Sequence, residues 1–190
     1  MRCLFKIYIL LVSFAINGFS QDSIGVTGIY QNHSYGFQVT IPRGLIGRWN
    51  SPIWKDTTTS GYISFSDHGR FIQLKNSDWV DIFSSYTRDS DLPLLTIVYE
   101  EIEYIKGKAD SLSFILYELR STNLGKLPAY HYSAKYEKNG KGRIAEGVIA
   151  FSAKEKIQFL VMLNSEISNY KNNVKHLKSI CISWKRIKRF

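Results

Sequence analysis

Four histidines, His33, His68, His131 and His176, are the side chains best suited to move a proton or bind a metal near neutral pH. None belongs to a His-x-x-x-His or His-Glu-x-x-His unit, and they are spread over a turn, a second turn, a strand and a helix. A metal site would need them to converge with a carboxylate from far along the chain. Asp67-His68, in a turn, is the pair through which a small exported hydrolase would work. Glu100, Glu101 and Glu103 could be read as glycosidase carboxylates, but on a helix their expected role is a solvated face. Cys181 lies in the apolar stretch Ile180–Trp184, which would raise its pKa and leave it unactivated. The chain has no Gly-x-Ser-x-Gly elbow and no phosphate-cradling or dinucleotide glycine loop, which argues against nucleotide hydrolysis and Rossmann redox chemistry. No catalytic, cofactor-binding or metal-ligating residue is assigned, and no cofactor is expected.

Charge is the other chemical resource. The formal net charge is +9, of which Arg2 and Lys6 contribute two. The other seven equal the cations of one acid-free stretch: Lys171, Lys175, Lys178, Lys185, Arg186, Lys188 and Arg189. Residues 21–170 therefore balance to zero. These seven side chains could hold an anionic membrane or envelope surface, or form a solubilising helix face and a frayed basic tail. Nucleic acid is not an expected partner, because aromatic residues do not alternate with the basic ones as a base-stacking strip requires.

The first twenty residues have the pattern of a secretory signal. A charged start at Arg2 and Lys6 leads into the apolar run Ile7–Ile16, and the small residues Gly18 and Ser20 precede a cut before Gln21. The run is too short to span a bilayer, which takes about 20 residues. A secreted or periplasmic protein with no transmembrane segment is expected. Cys3 would leave with the signal, so the mature chain would carry Cys181 alone and no internal disulfide. At 44% hydrophobic and 14% aromatic, the remainder has a globular composition. It is read as one domain over residues 21–184, followed by a basic tail at 185–190. Asn32-His33-Ser34 is a glycosylation sequon that matters only in a eukaryotic host.

Periodicity supplies the elements. Tyr30 to Ile41 reads as a hairpin around Asn32-His33-Ser34, ended by Pro42 and Gly44; residues 43–60 read as loop. Short strands are predicted at Tyr62–Ser66, Phe71–Leu74 and Trp79–Tyr86. Leu95, Val98, Ile102, Ile105 and Ala109 form one helical stripe, with Asp91 as its cap, Pro93 in its first turn and Gly107 weakening its end. Strands follow at Phe114–Ser121, Leu127–Glu137 and Arg143–Phe151, the last two joined by the Asn139-Gly140 turn. Ile157–Leu163 is apolar on both faces, as a central strand should be. Ile167, Tyr170, Val174, Leu177 and Cys181 form a second helical stripe, capped by Ser165. Such an order makes an α+β fold, an antiparallel β-sheet flanked by helices.

Particular residues also carry a likeness. Tyr30-x-Asn32-x-x-Tyr35-Gly36-Phe37-x-Val39-x-x-Pro42 resembles the opening of PsbP-like domains, and Leu124-Gly125-Lys126-Leu127-Pro128-Ala129 resembles the turn before their central strands. The closing helix with Tyr170, leading to Ser183-Trp184, is similar to the end of that family. The region Ser51–Asp89 lies outside the common core and resembles a variant of secreted relatives. The resemblance implies a PsbP-like α/β/α sandwich and a non-enzymatic accessory or binding role for another envelope or extracellular protein. It carries no photosynthetic role over to this chain.

Overall fold

The alternation along residues 127–138 becomes the spine of the computed structural model, which describes residues 24–26, 28–43, 45, 47–49, 56–57, 63–64, 69–74, 78–86, 93–110 and 112–189. Strands β1 (Ile24–Val26), β2 (Ile29–Asn32), β3 (Phe37–Thr40), β4 (Gly47–Trp49), β5 (Asp56–Thr57), β6 (Ile63–Ser64), β7 (Gly69–Gln73) and β8 (Trp79–Tyr86) precede helix α1 (Leu94–Lys106). Strands β9 (Ile115–Leu124), β10 (Leu127–Lys138), β11 (Lys141–Ser152) and β12 (Ile157–Glu166) follow, then helix α2 (Ile167–Ser183) and strand β13 (Lys185–Arg186). Among the described residues the main sheet runs β1-β4-β7-β8-β12-β11-β10-β9, all antiparallel, and β13-β3-β2 forms a smaller sheet. The fold is α+β, an antiparallel sheet flanked by helices.

Period-two alternation divides the sheet's side chains between two cores. Ala129, Val148, Ala150, Phe159, Val161 and Leu163 pack with α2 residues Leu177 and Ile180 and with the small sheet. Their neighbours Tyr132, Tyr136, Ala145, Ile149, Leu160 and Met162 pack with α1 residues Ile97, Val98, Ile102 and Ile105. Strand β12 lies inside the sheet, between β8 and β11, and is buried on both faces because its side chains enter both cores.

The residues that carry the family likeness meet in one place. Tyr35, Phe37, Leu124 and Trp184 are buried together, with Phe37 stacked on Trp184 at 6.4 Å between ring centres and Phe159 edge-on to it at 5.2 Å. Gly125 has φ +58°, and a Cβ there would come 2.8 Å from the Trp184 ring. Gly36 has φ +68°, and a Cβ there would lie 3.0 Å from the Ile187 carbonyl. Both positions demand glycine for conformation and for room at once.

Several expectations are corrected. The span 43–60 contains β4 and β5, and β1 lies in a stretch given no strand. Helix α1 begins after Pro93, whose extended ψ of 136° places it at the cap and outside the first turn. The predicted cap Asp91 lies outside the described residues. Helix α2 is not capped by Ser165: that residue lies within β12, one before the cap position Glu166, and its hydroxyl turns to Asp78. The buried stripe of α2 runs through Leu177 and Ile180, with Cys181 only half-buried and Ile167 exposed.

Candidate functional site

Two polar clusters lie where α2 meets the sheet. The first surrounds Asp78, which is 0% exposed just before β8. Its Oδ1 accepts from the Glu166 amide (2.8 Å) and from Arg143 Nη2 (3.2 Å). Its Oδ2 accepts from Ser165 Oγ (2.9 Å), Asn169 Nδ2 (3.0 Å) and Asn173 Nδ2 (2.9 Å). Arg143 also donates to Asn164 Oδ1 (2.6 Å), and Asn164 donates to the Tyr136 hydroxyl (2.5 Å). One carboxylate thus satisfies an amide where the strand becomes the helix and two side chains of the first turns. It is a fastening, with every acceptor position used.

The second cluster is His131, Glu146, Tyr170 and Glu118. Alternation puts His131 of β10 and Glu146 of β11 on the face covered by α2, and Tyr170 reaches down from the helix. His131 Nε2 donates to Glu146 Oε1 (2.9 Å), and the Tyr170 hydroxyl donates to Glu146 Oε2. Burial alone would raise the Glu146 carboxyl. Hydrogen bonds from His131 and Tyr170, with the charges of His131 and Lys178, outweigh burial and hold it below its ordinary range. The same carboxylate and burial push the Tyr170 hydroxyl up. Glu146 as acceptor fixes a proton on Nε2, and the other ring nitrogen is Nδ1. That nitrogen lies 3.6 Å from Glu118 Oε2 and makes no hydrogen bond among the described residues. The imidazole is held between two carboxylates, and the tyrosine beside it is held protonated.

The basic end divides in two. Lys171, Lys175 and Lys178 are exposed along α2, and Lys185 and Lys188 are exposed beyond it. Arg186 instead bonds the Tyr35 carbonyl (2.7 Å), pairs with Glu155 and lies over the Phe159 ring. Arg189 bonds the Ser34 carbonyl (3.1 Å) and the Tyr86 hydroxyl. Residues 185–189 lie along β3 through the β13 pairing and the Ile187 amide to Gly36 carbonyl bond (3.0 Å). The structure therefore brings Arg186 and Arg189 to the N-terminal hairpin and leaves the five lysines at the surface.

Asp67 and His68 lie outside the described residues. His33 Nδ1 is 3.4 Å from the Lys188 carbonyl, and His176 is half-buried on α2 with its pKa lowered by burial and by Lys175. Burial pushes the Cys181 thiol up to about 12. Among the described residues no group of three His, Cys, Asp or Glu side chains is placed to hold a metal ion. Among the three helix glutamates, Glu100 and Glu103 are exposed as expected. Glu101 is not: burial lifts its carboxyl to about 7, with Asp81 adding to the rise and Lys108 opposing it. Its helical phase, three after Val98 and four before Ile105, was the available signal. The Asp78 network carried none, because its partners are 65 to 95 residues away in sequence.

No protein-family profile matches the chain, and no curated protein sequence matches it. Solved structures do. Cyanobacterial PsbP (CyanoP) from Synechocystis sp. PCC 6803 superimposes with a TM-score of 0.54 at 10% identity, covering 86% of this chain and 95% of its own. The Saccharomyces cerevisiae Ran-binding protein Mog1p gives 0.51 at 6% identity, covering 87% and 97%. LpqN, involved in cell envelope biogenesis of Mycobacterium tuberculosis, gives 0.44 at 10% identity, covering 88% and 86%. The chain therefore has the PsbP-like fold.

Proposed function

We propose that this chain is exported after removal of residues 1–20 and acts, without catalysis of its own, as an accessory that binds another protein of the envelope or the extracellular space. Among the described residues no helix is long and apolar enough to cross a membrane. One fold neighbour, Mog1p, is a Ran-binding protein, so this scaffold is used elsewhere to hold a protein. The observation that carries the reading is the outer side of α1. Tyr99 and Tyr104 are exposed there, Lys108 lies over the Tyr104 ring at 3.7 Å, and Leu112 projects fully into solvent just beyond. Exposed tyrosines backed by a cation are the composition of protein-binding surfaces.

The test is a photo-crosslinker placed at Tyr99 or Tyr104 in cells, with Lys126, in the turn between β9 and β10, as the control site. One discrete adduct from both α1 positions and none from the control is expected, on a chain whose N-terminus is Gln21. Absence of an adduct, or retention of residues 1–20 in the cytoplasm, overturns the reading. The lysines of α2 favour a second reading, attachment to anionic lipid through Lys171, Lys175, Lys178, Lys185 and Lys188. It requires that replacing the three α2 lysines with Ala lower retention on phosphatidylglycerol vesicles, and more so at low salt.

A further inference from the structure

Strand β9 ends the main sheet, and the described residues provide no strand against its outer edge. It is ten residues long and has no proline, and most of it is exposed: Ile115 53%, Leu116 36% and Tyr117 59%. An edge of that length is a template for another strand. Its bulge opposite Ser133 and Ala134 and its two charges limit what can pair there. Those charges, Glu118 and Arg120, lie on one side of the strand with 2.5 Å between Arg120 Nε and Glu118 Oε1.

We propose that β9 is a self-association edge, at which two copies of this chain pair their β9 strands antiparallel about a two-fold axis through Leu119. A two-fold axis perpendicular to a continuous sheet keeps each side chain on its own face. Only registers centred on a residue therefore qualify. Centred on Glu118 or on Arg120, the pairing sets identical charges face to face. Centred on Tyr117 or Ser121, it sets Glu118 against Leu116 or Leu124 and gives the charges no partner on the second copy. Centred on Leu119, Glu118 of each copy faces Arg120 of the other, giving two cross-strand ion pairs related by the axis. Tyr117 then faces Ser121, and the bulge at Tyr117 ends the ladder there, because it puts Leu116 and Ile115 on the faces opposite to Thr122 and Asn123; the five residues 117–121 pair. The charge order Glu-Leu-Arg is thus self-complementary. It admits a second copy in one register and disfavours unrelated edges. The contact is closed, because it consumes the edge it uses and builds no filament. It uses neither residues 1–20 nor the outer side of α1, so it does not depend on the reading above.

The test is sedimentation equilibrium of the full chain over a concentration series, with circular dichroism confirming that each variant is folded. A dimer is expected. Glu118→Arg or Arg120→Glu alone should weaken it about tenfold or more, and the double exchange should restore it to within about threefold. In a chain with Cys3 and Cys181 replaced by Ser, Leu119→Cys should oxidise to a covalent dimer and Asn123→Cys should not. A monomer at all concentrations overturns the proposal. So does a dimer that the single reversals leave intact, or one that links through residue 123 and not through 119.

Discussion

The acids that meet α2 and the acid that reaches the sheet from α1 live in opposite environments. Asp78 and Glu146 are buried, and each accepts hydrogen bonds from α2 or from the residues that start it. The Glu146 carboxyl is held low, whereas that of Glu101 is lifted to about 7 by burial with Asp81 close by. The hydroxyl of Tyr132, on the same face, is buried without a hydrogen-bond partner among the described residues, and burial with the charges of Glu101 and Asp81 raises its pKa well above normal. One sheet therefore holds its two helices by different means. Helix α2 is pinned by directional polar bonds. Helix α1 is held by apolar packing, and its polar side is a source of repulsion that ionisation increases.

The largest break in this contrast is Asp78→Ala. It leaves the Arg143 guanidinium buried without its carboxylate and removes the acceptor for four further donors. We expect a loss of about 3–5 kcal/mol in urea unfolding at pH 7, the usual result of removing one partner from a buried ion pair. A loss no larger than that of an ordinary surface substitution would mean that α2 is held by Leu177 and Ile180 alone. Next comes Glu146→Gln, expected to cost about 1–2 kcal/mol at pH 7. Glu146 has a lowered pKa in the folded state, so its contribution is present above the ordinary carboxylate range and is lost as pH falls through the folded value. The gap between variant and native protein should therefore close on acidification. A gap that stays constant down to pH 3 would show that packing, and not ionisation, makes the difference.

How far the sequence could be read follows the same division. Strands β10, β11 and β12 are legible because alternation is local and their turns carry Asn139-Gly140 and residues 153–156. The likeness motif is legible for a physical reason: Tyr35-Gly36-Phe37, Leu124-Gly125 and Trp184 are the pieces of one aromatic cluster. What escaped was long-range. Ser165 has the composition of a cap, yet the carboxylate that serves the start of α2 comes from Asp78, at a sequence distance no window covers. Cys181 continues the helical stripe on spacing, but Trp184 and Ile180 fill the core where the helix crosses the sheet. The cations at the end of the chain look uniform in sequence, and only β13 pairing against β3 separates the two engaged arginines from the exposed lysines.

The smallest effect sharpens the contrast most, because it has the opposite sign. Glu101 has a folded pKa of about 7 against an ordinary value of 4.5. Between those values the folded state binds more protons than the unfolded one, so stability falls as pH rises through that window. Glu101→Gln removes this term. It should unfold at a higher temperature than the native protein at pH 8, with a gain of about 0.5–1 kcal/mol after screening by water, and the two should match below about pH 4.5. The gain is smaller than either loss because Glu101 is only partly buried and water screens what remains. Thermal melts at half-unit steps from pH 4 to pH 8 would read the whole curve. Parallel curves for variant and native protein would mean that Glu101 ionises without strain. The two faces of the sheet would then not differ in the way the geometry indicates. A curve that separates only above pH 5 would place the repulsion on the α1 face and leave Glu146, on the other face, as the carboxylate whose contribution acid removes.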